Sequence, residues 1–218
     1  MSFLRIGVLA SGRGSNFQSI IDEIASHRLK AEIVLLITDN PSAFAIERAQ
    51  QHGIEYLVIL SKEYRSKDEF FVKIAEELKK RGVGLVVLAG FMRIAGKPLI
   101  DAFPNRIMNI HPALLPSFPG LHGQRQSLEY GVKISGCTVH FVDEGMDTGP
   151  IIIQAAVPVL QNDTEETLSE RILRYEHKIY PEAIRLFSEG RIEIEGRTVR
   201  IKGYNPIDTY MISPSLTE

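Results

Sequence analysis

Leu4-Arg5-Ile6-Gly7-Val8-Leu9-Ala10-Ser11-Gly12-Arg13-Gly14-Ser15-Asn16 passes from an unbroken apolar run into a glycine loop, and Phe17, Ile20, Ile21 and Ile24 follow at the spacing of one helix face. The order is strand, glycine loop, helix. An apolar strand without alternation is one buried on both faces of a parallel sheet. Backbone N–H groups at such a helix start, together with the helix dipole, make a site for phosphate or carboxylate. Gly14 lets the chain approach a ligand, and Ser15 and Asn16 supply short polar groups that can cap the helix or contact the anion. Two fingerprints fail here: G-x-G-x-x-G needs glycine where Phe17 stands, and the Walker pattern lacks its Gly-Lys-Ser/Thr. A monophosphate therefore fits better than a nicotinamide cofactor or ATP, against the plainer alternative of a tight turn that binds nothing.

Outward from this unit the same rhythm repeats. Ile33–Thr38, Tyr56–Leu60 and Leu85–Ala89 read as strands, and 43–52 and 67–81 as the helices between them, the second carrying Phe70, Phe71, Ile74, Ala75 and Leu78 and stopped by Gly82. This alternation predicts an α/β fold, a doubly wound, mostly parallel Rossmann-like sheet with right-handed crossovers and ligands outside the carboxyl ends of its strands. Asp39 stands where a dinucleotide fold keeps its ribose acid, but without the third glycine it reads as a turn or cap residue.

Ile107-Met108-Asn109-Ile110-His111-Pro112 begins as a strand and runs into a loop stiffened by Pro112, Pro116 and Pro119. Asn109 and His111, two apart, point to one face and can converge on a small group such as a carbonyl; the plainer reading has them satisfying backbone groups at a strand end. Gly90-Phe91-Met92-Arg93-Ile94 is an apolar loop at the same predicted edge, suited to core or to a flat heterocycle. Ser135–Val142 is a strand ending near His140, followed by a loop in which Asp143, Glu144 and Asp147 lie between glycines. Their spacing lacks a calcium-loop register, so no metal is expected, and a carboxylate beside a loop histidine can orient the imidazole. Ile151–Val159 is a further strand, Thr164 starts a long helix to Phe187, and 191–202 reads as a two-stranded ribbon turning at Glu195-Gly196. Glu176 and His177 in the long helix are by default surface residues.

With 218 residues, 44% of them hydrophobic, one large core is expected. A net charge of −2 and the lack of any polybasic run exclude a nucleic-acid surface. The single Cys137 excludes an internal disulfide, and the short apolar N-terminus is neither signal peptide nor span, so no membrane role and a cytoplasmic location are expected.

These motifs together resemble the phosphoribosylglycinamide formyltransferases, folate-dependent enzymes of purine biosynthesis, from the Ser-Gly-Arg-Gly-Ser-Asn loop to Gly203. The resemblance rests on Gly14-Ser15-Asn16, Gly90 to Ile94, Asn109-Ile110-His111-Pro112 with Leu114-Leu115-Pro116, and Asp147-Thr148-Gly149-Pro150. It implies a catalytic trio of Asn109, His111 and Asp147. Gly14, Ser15 and Asn16 would bind the substrate phosphate, helped by Lys67, with Glu176 on the ribose. Phe91, Met92, Arg93, Ile94, Val142, Asp143, Glu144 and Gly145 would bind the folate. The implied co-substrate is 10-formyltetrahydrofolate, with no metal; the partners are small molecules, and the chain is a monomer or homodimer. One formyltransferase domain is expected over 1–203, with a phosphate-binding half (1–100), a folate and catalytic half (101–203) and a loosely attached tail over 204–218. Methionyl-tRNA formyltransferase and formyltetrahydrofolate hydrolase resemble the same core, but the first would need a further basic domain and the second an extra amino-terminal one. A nucleotide-binding regulatory module would use the glycine loop but gives no reason for His111 and Asp147.

Overall fold

The computed structural model describes residues 3–205 and 211–214. Seven strands, β1 (Leu4–Leu9), β2 (Ala31–Thr38), β3 (Tyr56–Val58), β4 (Leu85–Leu88), β5 (Ile107–His111), β6 (Ile134–Phe141) and β7 (Ile151–Pro158), form one sheet in the order β3-β2-β1-β4-β5-β6-β7. The five strands from β3 to β5 are parallel, and β6 and β7 continue the sheet antiparallel. A separate hairpin of β8 (Ile192–Glu195) and β9 (Thr198–Ile201) packs Ile192, Ile194 and Val199 onto the core.

Six helices cover the sheet: α1 (Ser15–Ala25), α2 (Ala45–Gln51), α3 (Lys67–Lys80), α4 (Lys97–Ala102), α5 (Gly123–Tyr130) and α6 (Glu165–Ser188). Alternation along the central strands divides the core in two. Ile6, Val8, Val87, Met108 and Ile110 face Phe17 and Ile20 of α1 and Ile172, Tyr180 and Ile184 of α6. Leu9, Val86, Leu88 and Ile107 face Phe70, Phe71 and Ile74 of α3 and Leu99 of α4. Apolar burial on both faces is the main stabilising term for such a layer, about 25 cal/mol per Å². Tyr180 ties the layers together: its buried hydroxyl lies 2.9 Å from the carbonyl oxygens of both Leu88 and Met108, joining α6 to β4 and β5.

The predicted doubly wound, mostly parallel sheet and its terminal ribbon are observed. Boundaries moved: β3 stops at Val58 because Ser61–Glu63 turns as a 3-10 helix, and α2 is shorter than the helix expected over 43–52. Helices α4 and α5 were not anticipated, since one has six residues and the other buries only its Gly123 and Ser127 positions, leaving no apolar period to read. Thr164 caps α6 in a reciprocal box with Thr167. No described helix is long and apolar enough to cross a membrane. Of the tail expected over 204–218, only 204–205 and 211–214 are among the described residues, and they form neither helix nor strand.

Candidate active site

After β1 the chain turns to β2 and β3 on one side and resumes at β4 on the other, so the crevice between β1 and β4 is the topological switch point where open α/β sheets bind ligands. The two loops leaving it are stitched together. Ser11 N–H donates to the Gly90 carbonyl at 3.0 Å, and Met92 N–H donates to Ser11 Oγ at 3.0 Å.

Gly14 is the N-cap of α1, with φ 67°, and a Cβ there would stand 2.9 Å from Ala45 Cβ. Only glycine combines that left-handed backbone with that approach. No side chain caps α1 and its first turn carries no acid, so the turn keeps its positive end for an anion. Ser15 and Asn16 open this helix, but the Asn16 side chain neither caps it nor faces outward: its Nδ2 donates to Glu176 Oε2 at 2.7 Å. Buried Asn16 Oδ1 has no hydrogen-bond partner among the described residues.

Glu176 is only 7% exposed, which overturns its default reading as a surface residue. It stands on the buried stripe of Ile172, Tyr180 and Ile184, at four-residue spacing, and burial pushes its carboxyl above the ordinary range. That a carboxylate interrupts an apolar i, i+4 series is a signal the sequence carried.

At the end of β5, Asn109 and His111 share a face as expected, opposite in register to His140 and Thr138 of β6. His140 Nδ1 lies 2.8 Å from the Phe141 carbonyl oxygen, which only accepts, so Nδ1 carries the proton. Burial lowers the His140 pKa, which favours the neutral ring. Its bare Nε2 therefore accepts from Asn109 Nδ2 at 3.2 Å. That contact orients the Asn109 amide and leaves its second N–H free.

His111 is buried, with Nε2 2.8 Å from the Phe118 carbonyl oxygen and Nδ1 3.4 Å from Asp147 Oδ2. Both ring nitrogens thus face acceptors, an arrangement complementary to an imidazolium. Asp147 also accepts from Gly120 N–H at 2.8 Å and lies 3.7 Å from His140 Nε2. Phe118 and Asp147 have φ of 56° and 54°, and such left-handed non-glycine residues mark loops held by their surroundings.

The three acids of the loop after β6 divide their roles. Asp143 accepts from Thr148 Oγ1 at 2.6 Å and Gly145 N–H at 3.1 Å and so closes the turn, while Glu144 pairs with Lys97 at 3.1 Å and only Asp147 reaches the histidines. Gly149 makes the return possible, since a Cβ there would stand 1.8 Å from the Phe141 carbonyl oxygen. Val142 is half-buried against the core, and Gly145 is exposed.

Met92 and Ile94 are exposed apolar side chains, whereas Phe91 packs on the core. Met92, Arg93 and Ile94 line a cleft of about 520 Å³ whose other walls include Arg65, Lys67, Phe70 and Phe71. Lys67 therefore stands beside the 92–94 loop, at the start of α3, which packs on the opposite face of the sheet from α1. Among the described residues, no group of three or more His, Cys, Asp or Glu side chains is placed to hold a metal ion.

The family model for formyl transferases matches residues 4–184 of this chain. The chain belongs to the formyl transferase family. A phosphoribosylglycinamide formyltransferase of Bacillus subtilis is 45% identical over 181 residues, covering 83% of this chain and 93% of its own. A trifunctional purine biosynthetic protein of Drosophila melanogaster is 46% identical over 188 residues, 85% of this chain, which spans only 14% of that longer protein. A solved glycinamide ribonucleotide transformylase 1 of Symbiobacterium toebii is 55% identical with a TM-score of 0.91, covering 92% of this chain and 94% of its own.

Two members of the assembled site were not singled out by sequence reasoning. His140 was seen only as a residue near a strand end; its pairing with Asn109 depends on the antiparallel β5–β6 register. Phe118 acts through its backbone carbonyl, which no residue type announces.

Proposed function

We propose that this protein transfers the formyl group of 10-formyltetrahydrofolate to the amine of 5-phosphoribosylglycinamide, giving the N-formyl product and tetrahydrofolate in purine biosynthesis. The observation that carries the reading is the juxtaposition of Asn109, His111 and Asp147 at the end of β5, beside an uncapped helix start suited to a phosphate. Family membership and relatives that bear the phosphoribosylglycinamide formyltransferase name support it.

In this reading the substrate phosphate sits on the amides of Gly14, Ser15 and Asn16, and the ribose hydroxyls meet Glu176 and the unpartnered Asn16 Oδ1. The folate lies along Phe91 to Ile94 and Val142 to Gly145. Lys67 and Arg93 supply positive charge in the cleft next to that loop.

The glycinamide nitrogen attacks the formyl carbon. A tetrahedral intermediate forms, negative on oxygen and positive on nitrogen. The free N–H of Asn109 and an N–H of His111 donate to that oxygen, which requires the formyl oxygen to take the place of the Phe118 carbonyl at Nε2. Asp147 holds the imidazolium and, directly or through water, accepts the amine proton. The proton is delivered to folate N10 as the C–N bond breaks. An amine nucleophile and an activated formamide need neither a covalent enzyme adduct nor a metal.

The test is formyl transfer from 10-formyltetrahydrofolate, followed by the absorbance of the folate product, with the ribonucleotide, with initiator methionyl-tRNA and with water alone. Turnover only with the ribonucleotide is expected. Release of formate with water alone would replace the reading by a hydrolase.

A further inference from the structure

Asp39 directly follows β2, where a dinucleotide-binding sheet would present an acid to a ribose, yet its carboxylate faces protein. Its side chain is 8% exposed and both oxygens are engaged. Ser11 Oγ–H donates to Oδ1 at 2.6 Å, and Arg93 Nε–H donates to Oδ2 at 2.5 Å. Ser11 Oγ in turn accepts from Met92 N–H at 3.0 Å. One carboxylate thus ties the glycine loop after β1 to two consecutive residues of the loop after β4. The Arg93 guanidinium is also held over the Phe70 ring, 5.5 Å from its centroid, while the side chain remains 41% exposed to the cleft.

We infer that Asp39 is a positioning residue for the folate co-substrate: it fixes the Arg93 guanidinium and the Met92 amide relative to the glycine loop, and so sets the distance between the two bound substrates. This rests on the formyl transfer reading above. Reacting atoms must be brought to about 3–3.5 Å for attack, so two half-sites carried on different loops need a rigid link. Charge-assisted hydrogen bonds are the strong ones available for it. The three contacts of the Ser11–Asp39–Arg93–Phe70 chain supply that link without touching the reacting groups.

Asp39→Asn keeps an acceptor for Ser11 and removes the charge that holds Arg93. The KM for 10-formyltetrahydrofolate should rise about 10–100-fold, as for loss of a charged hydrogen bond, with the KM for the ribonucleotide changed less than about twofold and thermal unfolding little moved. If Asp39 acts through Arg93, adding Asp39→Asn to Arg93→Gln should cause no further rise. Arg93→Lys, which keeps the charge but loses the Nε contact, should reproduce the rise and serves if Asp39→Asn does not fold. Tetrahydrofolate affinity measured by calorimetry separates the two claims. Folate binding that depends on Asp39 without turnover defeats formyl transfer alone, and intact turnover with an unchanged folate KM in Asp39→Asn defeats the positioning role alone. Failure of the wild-type protein to bind folate defeats both, and independent, multiplicative effects in the double variant overturn the route through Arg93.

Discussion

Asp147→Asn removes one charge from the candidate centre and little else. Asparagine tolerates the left-handed backbone that Asp147 adopts, and its side-chain oxygen can still accept from Gly120 N–H. What disappears is a negative charge 3.4 Å from His111 Nδ1, in a site where the His111 side chain is 4% and the Asp147 side chain 15% exposed. At that separation Coulomb attraction is about 5 kcal/mol for an effective dielectric of about 20, and about 1 kcal/mol in bulk water. The low exposure places the interaction nearer the first figure. Stabilisation of the imidazolium in the transition state should therefore fall by several kcal/mol, and kcat/KM with the ribonucleotide by about 10²–10⁴-fold. Ribonucleotide affinity, which the proposed reading places at the α1 start, should be unchanged by calorimetry. A loss smaller than about tenfold with the ribonucleotide still bound would refute the assignment of Asp147, because the charge would then be dispensable.

Asn109→Ala removes a proposed oxyanion donor and should lower kcat about 10²–10³-fold, read from single-turnover formyl transfer; a loss near unity would discard that role. Cys137 is fully buried and its thiol is pushed up to about 12 by burial, so it should not react with a disulfide reagent at pH 7.5 until the protein unfolds; rapid labelling of folded protein would contradict the burial. Asp163 is held at about 2 by a two-pronged contact with Arg171 and the Leu160 amide. Its depressed pKa contributes stability that is present above about pH 4 and lost as pH falls through about 2, so Asp163→Asn should cost about 2–3 kcal/mol at pH 7 and nearly nothing below pH 2. Denaturant unfolding at both pH values checks this, and a gap that persists in acid would count against it.

Much of the molecule is legible in residue order alone because it is written in local spacing. The run Leu4–Ala10 lacks alternation since both of its faces are covered, and Phe17, Ile20 and Ile21 repeat at helical period since one face is. From such units the doubly wound sheet follows, and with it the edge where Gly14, Met92 and His111 gather. Spacing likewise marked Asn109 and His111, and the family resemblance added Asp147. Tertiary structure decided what depends on pairs far apart in the chain. Asn109 meets His140 only through the β5–β6 register, Asn16 meets Glu176 across 160 positions, and Asp39 meets Arg93 rather than a ribose. Where Lys67 sits was likewise decided by packing: α3 lies on the face of the sheet opposite α1 and places it beside the 92–94 loop. The division has one physical reason: hydrophobic period is set by neighbours along a helix or strand, whereas a buried polar group takes whichever partner the packing of the layers brings within hydrogen-bonding distance.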